Sequence, residues 1–199
     1  MSRIIVDAIR NSSASSDGIT LSSDGKVAFP NTGVGKILQI VSTTKTDSFT
    51  TTSTSYTDIT GLSASITPSS TSSKVYAIVQ VNSAASTRYA SFRLVRGSTN
   101  IAVGTDITGS QEAATFTAGS NTSNSYDNLV VRNQSMGILD TPSTTSATTY
   151  KLQGRINYGT GDLYVNRQPY TDTTSTYVVR LASTITCLLY TSPSPRDIS

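Results

Sequence analysis

From Thr148 the chain reads TTYKLQGRINYG. Along an extended backbone, successive side chains point to opposite faces. Tyr150, Leu152, Gly154, Ile156 and Tyr158 therefore share one face, and Lys151, Gln153, Arg155 and Asn157 the other. This is the pattern of a strand with one face in a core and one in water. It constrains the fold strongly because no stretch sustains apolar residues at the i, i+3, i+4, i+7 spacing of a helix. Ser and Thr together make up roughly a third of the residues, well above ordinary usage. Thr, Val, Ile and Tyr suit half-buried strands, and Ser, Gly, Asn and Asp suit the turns between them. The expected class is all-β.

The rest of the 199-residue chain fits that class. Arg3–Ile9 suits a short strand, and Ser-Ser-Asp-Gly then occurs twice, ending at Gly18 and Gly25. Asp-Gly is a strong turn signal because glycine accepts positive φ without a Cβ clash. Residues 1–34 therefore read as a short β-meander that attaches or connects. Asp17 and Asp24 read as turn formers, since no calcium-loop spacing follows. Asn31–Gly35 reads as a hinge. Strands are then expected in KILQIVS, DSFTT, YTDI and LSASITP, the last with Leu62, Ala64 and Ile66 on one face. SKVYAIVQVN is apolar on both faces and reads as a central strand covered on both sides. RYASFRLVRGSTNIAVG reads as a hairpin turning at Gly97-Ser98, with Ala90, Phe92 and Leu94 inward, Arg93 outward, and Ile101 and Val103 returning. Phe116 is a candidate anchor in the polar segment 105–125. YDNLVVRNQSMGILDTP gives one long strand, and DLYVN is expected to pair back on TTYKLQGRINYG. A short strand at 177–181 and a final strand starting at STIT complete about eight to ten strands with no helix. Even spacing and short turns point to a two-sheet antiparallel sandwich of jelly-roll type.

Several chemistries are excluded by what is missing. Without histidine there is no Ser-His-Asp triad, Cys-His pair or His-ligated zinc. One cysteine allows no intrachain disulfide. Charged residues are only 14%, the net charge is +3, and the basic residues are scattered, which argues against nucleic acid as a partner. No apolar run reaches membrane-span length, and the first residues lack a secretory pattern, so assembly in a cytoplasm without membrane insertion is expected. No cofactor is implied. Asp140, Asp162 and Asp172 are candidates for a glycosidase-type carboxylate pair, set against their reading as turn and surface aspartates. Arg88, Arg93 and Arg96 read as an outward strand face or an intersubunit ion-pair set. Asn11, Asn121 and Asn133 open Asn-x-Ser/Thr triplets, which a chain this rich in Ser and Thr produces by chance. The segment LYVNRQPYTDTTSTY concentrates Tyr164, Asn166, Arg167, Tyr170 and Tyr177. Tyr and Arg are common interface anchors, and Tyr with Asn can stack on and hydrogen-bond a glycan. These five are the candidate receptor-binding residues. In an oligomer the same residues could instead pack between subunits.

Residues 35–186 resemble a recurrent module of phage virion proteins, found in tail fibres and related structural proteins, especially of marine phages. The phrases that carry the resemblance are GKILQIVSTTKTDSFTTTSTSYTDITGLSASITPSSTSSKVYAIVQVN, FRLVRGSTNIAVG, LDTPSTTSATTYKLQGRIN and LYVNR. The leading VDAIRNSSASSDGITLSSDG is similar to the connector ahead of such modules. The resemblance implies a jelly-roll head shaped like those of complement and tumour-necrosis-factor trimers, and hence a homotrimer. It implies a non-enzymatic virion protein, a tail fibre or fibre tip, whose partners are other virion structural proteins and a host-surface glycan or protein. The alternatives are a capsid decoration or head-fibre protein that touches only virion proteins, and a polysaccharide depolymerase domain.

The last residues change style. Cys187–Asp197, CLLYTSPSPRD, resembles the translation of a transposase-type sequencing-library adapter. On that reading Cys187–Ser199 is non-native, and the resemblance implies a native last strand that continues from STIT through a few more apolar residues. CLLY is apolar enough to extend that strand, whereas the two-proline remainder should hang free of the sandwich.

Overall fold

A computed structural model describes residues 8–9, 19–21, 23, 27–28, 37–86, 89–119, 130–157, 160–170, 174, 176 and 178–190. The chain divides into two units, 1–36 with 191–199, and 37–190. In the first unit β1 (Ala8–Ile9), β2 (Ile19–Leu21) and β3 (Val27–Ala28) form an antiparallel sheet in that order. This is the expected meander. Its Asp-Gly turns lie outside the described residues, as does the segment after Tyr190.

The second unit is a β-sandwich with no helix among the described residues. Its strands are β4 (Ile37–Lys45), β5 (Phe49–Thr51), β6 (Thr57–Ile66), β7 (Lys74–Ala85), β8 (Tyr89–Arg96), β9 (Thr99–Ile101) and β10 (Phe116–Gly119). They continue with β11 (Arg132–Asp140), β12 (Thr148–Ile156), β13 (Leu163–Val165) and β14 (Ser183–Tyr190). One sheet of six strands runs β4-β14-β7-β11; β13 follows β14 along the edge of β7 opposite β11, and β5 pairs with β13 beyond it. The other, of five strands, runs β6-β12-β8-β10, with β9 beside β8. Every pairing is antiparallel. The long strands β4, β7, β11 and β14 lie in one sheet and β6, β8, β10 and β12 in the other, so the chain keeps crossing between sheets, as in a jelly roll.

The core is the interdigitated inner faces. β7 supplies Val75, Ala77, Val79 and Val81; β8 supplies Ala90, Phe92 and Leu94; β12 supplies Tyr150, Leu152 and Ile156. Full burial of an aliphatic or aromatic side chain of this kind is worth about 1.5–3 kcal/mol. Phe116 stacks on Phe92 at 5.0 Å between ring centroids, the anchor expected of that segment. Cys187 and Leu189 also point inward and are buried, so CLLY does extend the last strand.

Five local expectations are corrected. YTDI and LSASITP form one strand, β6, because Gly61 at φ +84° absorbs a bulge opposite Lys151 and Gln153. Ile59 and Leu62, three residues apart, therefore both face the core. A Cβ at Gly61 would meet Lys45 only at 3.7 Å, so the backbone angle rather than space requires glycine. The return strand after Gly97 stops at Ile101, because Ala102 adopts φ +53°, and Val103 lies outside it. β13 does not pair with β12; it crosses to β5 and β7, where Leu163 and Val165 complete the opposite inner face. No strand forms at 178–181; Arg180 makes only an isolated bridge to Arg167. SKVYAIVQVN is indeed central, with partners on both edges. Only one of its faces is buried, however, and Tyr76 and Ile78 on the other are half-buried.

Candidate functional site

Three of the candidate residues, Tyr164, Asn166 and Arg167, lie where β13 meets the far end of β7. Leu163, Tyr164 and Val165 pair with Ala85, Ala84 and Ser83. The chain enters the sandwich at Ile37, beside Tyr190 and thus near Lys74, at the other end of β7. Tyr164, Asn166 and Arg167 therefore sit at the end of the sandwich away from the entry point.

Asn166 is inside, not on the surface. It is 1% exposed at φ +62°, a conformation asparagine tolerates better than most residues. Its backbone N–H donates to Asn82 O, and its amide donates to Lys45 O at 2.8 Å and Asp47 O at 3.0 Å. Its side-chain oxygen accepts from Ser183 Oγ, and its carbonyl accepts from Leu181 N–H. With those groups engaged, Asn166 joins four segments and has nothing left for a receptor. Tyr164 is half-buried and donates to Asp162 Oδ2 at 3.1 Å. Burial, and then that carboxylate, push its phenol above the ordinary value. Arg167 lies over the Tyr164 ring at 5.0 Å and donates from Nε to Gln168 O. Tyr170 is 52% exposed. Tyr177 and Asp172 lie outside the described residues, so the Asp162–Asp172 pair has no described geometry.

The structure separates the arginine group. Arg93 points outward and lies 4.1 Å over the Tyr56 ring, and Arg155 lies 5.0 Å from the same ring. Arg155 pairs with Glu112 at 2.6 Å. Arg96 instead reaches Asp140, donating from Nη1 to both oxygens at 2.7 Å. Tyr150, fully buried, donates to Asp140 Oδ2 at 2.7 Å. Asp140 thus has both oxygens committed to holding strands together. Arg88 lies outside the described residues. Among the described residues no group of three or more His, Cys, Asp or Glu could hold a metal ion.

A second feature escaped the sequence reading. On the outer face of the larger sheet, Ile40, Leu188, Tyr76 and Leu139 sit opposite one another across four strands. Ile40 is 61% exposed and Leu139 58%. The next row is Ser42, Thr186, Ile78 and Gly137. A Cβ at Gly137 would collide with the Tyr76 hydroxyl, so glycine there lets the ring lie across the sheet. Thr44, Thr184, Gln80 and Ser135 follow. None of these residues is charged. The sequence signal for this face lies in the apolar alternate positions of SKVYAIVQVN, which look the same whether the chain's own fold or a second copy covers them.

A comparison with protein-family models finds no match, and a search of curated proteins finds none either.

Proposed function

We propose that this chain is a non-enzymatic phage virion structural protein, the head of a tail fibre or fibre tip, assembled as a homotrimer. The observation that carries the reading is the outer face of β4-β14-β7-β11, where three successive rows across the four strands carry no charge. A row of apolar side chains there runs through strands that are otherwise well ordered by hydrogen bonds. Depletion of charge with aromatic and aliphatic residues at the centre is the composition of a subunit contact, and contiguous exposed apolar surface marks interaction sites. The jelly-roll topology and the resemblance of residues 35–186 to phage virion modules support the same assignment. Three of the four strands in the row, bearing Ile40, Tyr76 and Leu139, lie outside the adapter-like segment.

On this reading the segment before Ile37 connects to the rest of the particle, and the opposite end of the sandwich faces a host-surface glycan or protein. Weak sites repeated on one trimer then gain avidity through high effective concentration. The test is mass in solution together with substitution of the face. The wild-type chain should be a trimer, and Tyr76→Glu with Ile40→Glu should be a folded monomer. A wild-type monomer at micromolar concentration would contradict the proposal.

A further inference from the structure

We infer that Arg167 and Arg180, with Tyr164 beside them, form a binding site for an acidic saccharide, a sugar bearing a carboxylate or sulfate group. The inference rests on the proposed role as a receptor-contacting head and names the ligand class. Arg167 and Arg180 face each other across an isolated antiparallel bridge. The flanking bond, Leu181 N–H to Asn166 O at 3.0 Å, makes this a narrow, non-hydrogen-bonded pair. Cα atoms in such pairs are about 4.5 Å apart and the side chains leave the same face. Like charges directly opposite repel. Lys45, Arg96, Lys151 and Arg155 each have a carboxylate at ion-pair distance, whereas among the described residues neither Arg167 nor Arg180 has one.

The pair is also held in place. Asn166 pins the backbone on one side, and Gln168 Oε1 accepts from Val179 N–H at 3.1 Å on the other. Arg167 spends Nε on Gln168 O and lies over the Tyr164 ring, and Arg180 donates from Nη1 to Val179 O at 3.4 Å, which leaves further N–H donors on both guanidiniums for a ligand. One oxyanion bridging both guanidiniums converts their repulsion into charge-assisted hydrogen bonds. The Tyr164 ring beside Arg167 supplies an amphipathic contact that suits a sugar.

The experiment uses the full chain over immobilised polygalacturonate, dextran sulfate, neutral dextran and polyglutamate, with light scattering on the same samples. Binding to polygalacturonate or dextran sulfate but not dextran is expected. Arg167→Gln and Arg180→Gln should each weaken it about tenfold or more, and exposed Arg132→Gln should not. Binding to polygalacturonate that disappears below the carboxylate range while dextran sulfate is ignored identifies the carboxylate; retained binding to dextran sulfate identifies the sulfate. Absence of binding, equal binding to polyglutamate, or indifference to both substitutions overturns the inference. A trimer that fails to bind overturns this inference alone, whereas a monomer overturns the assembly reading on which it rests.

Discussion

Tyr150 donates its hydroxyl to Asp140, which also takes both short contacts from Arg96, so three strands share one part-buried polar knot. Burial first, and then the Asp140 carboxylate, raise the Tyr150 phenol far above its ordinary value. A group whose folded-state value is raised stabilises fully below its unfolded value and loses that contribution as pH rises toward the folded one. The protein should therefore lose stability above about pH 10, where an unfolded tyrosine ionises. Tyr150→Phe should cost about 1.5–3 kcal/mol at neutral pH and flatten the alkaline loss, as measured by urea unfolding at several pH values. Cys187 makes a second prediction at this scale. Burial pushes its thiol up to about 12, and its side chain faces the core. It should react with a thiol reagent only after denaturant unfolds the chain, followed by absorbance; fast labelling of the folded protein would place Cys187 elsewhere. The residue scale was the least legible from sequence. Asn166 was selected as a surface ligand residue, but its positive φ and buried bonds depend on Lys45, Asp47, Asn82 and Ser183, all distant in the chain. Arg180 carries no signal in the sequence, because its place opposite Arg167 is set by a bridge between segments thirteen residues apart.

At the scale of elements, period-two alternation was enough to place β12 and β8 with the correct faces inward. It failed where the backbone breaks the period, as at Gly61, and where a strand's partner is chosen by topology, as for β13. No local signal says that Leu163 and Val165 cross to the far sheet, because a hairpin after Gly159 is locally as good. The close fit of that crossing is testable. A Cβ on Gly154 would lie 2.6 Å from Leu163 Cδ2 and 3.3 Å from Ile59 and Phe92. Gly154→Val should therefore destabilise by about 1–3 kcal/mol through overpacking, read from the thermal midpoint. β14 is tested from the other side. Leu189→Ala should cost about 2–4 kcal/mol, since Leu189 fills core space between the sheets. A neutral effect would mean that the end of β14 is not part of the packed structure.

At the scale of the whole molecule, fold class was legible because composition, alternation and turn spacing all agreed. Assembly was not, because an apolar position on a strand looks the same whether its own chain or a second copy covers it. The two apolar faces of SKVYAIVQVN imply an interior place for Tyr76 and Ile78, and the sandwich leaves both on its outer face beside Leu139. The central claim is that copies of the chain cover that face, and one measurement addresses it most directly. Multi-angle light scattering on the purified chain should give about three times the 21.0 kDa chain mass, falling to one chain mass for the folded Tyr76→Glu, Ile40→Glu variant. A wild-type protein with the mass of a single chain would contradict the account.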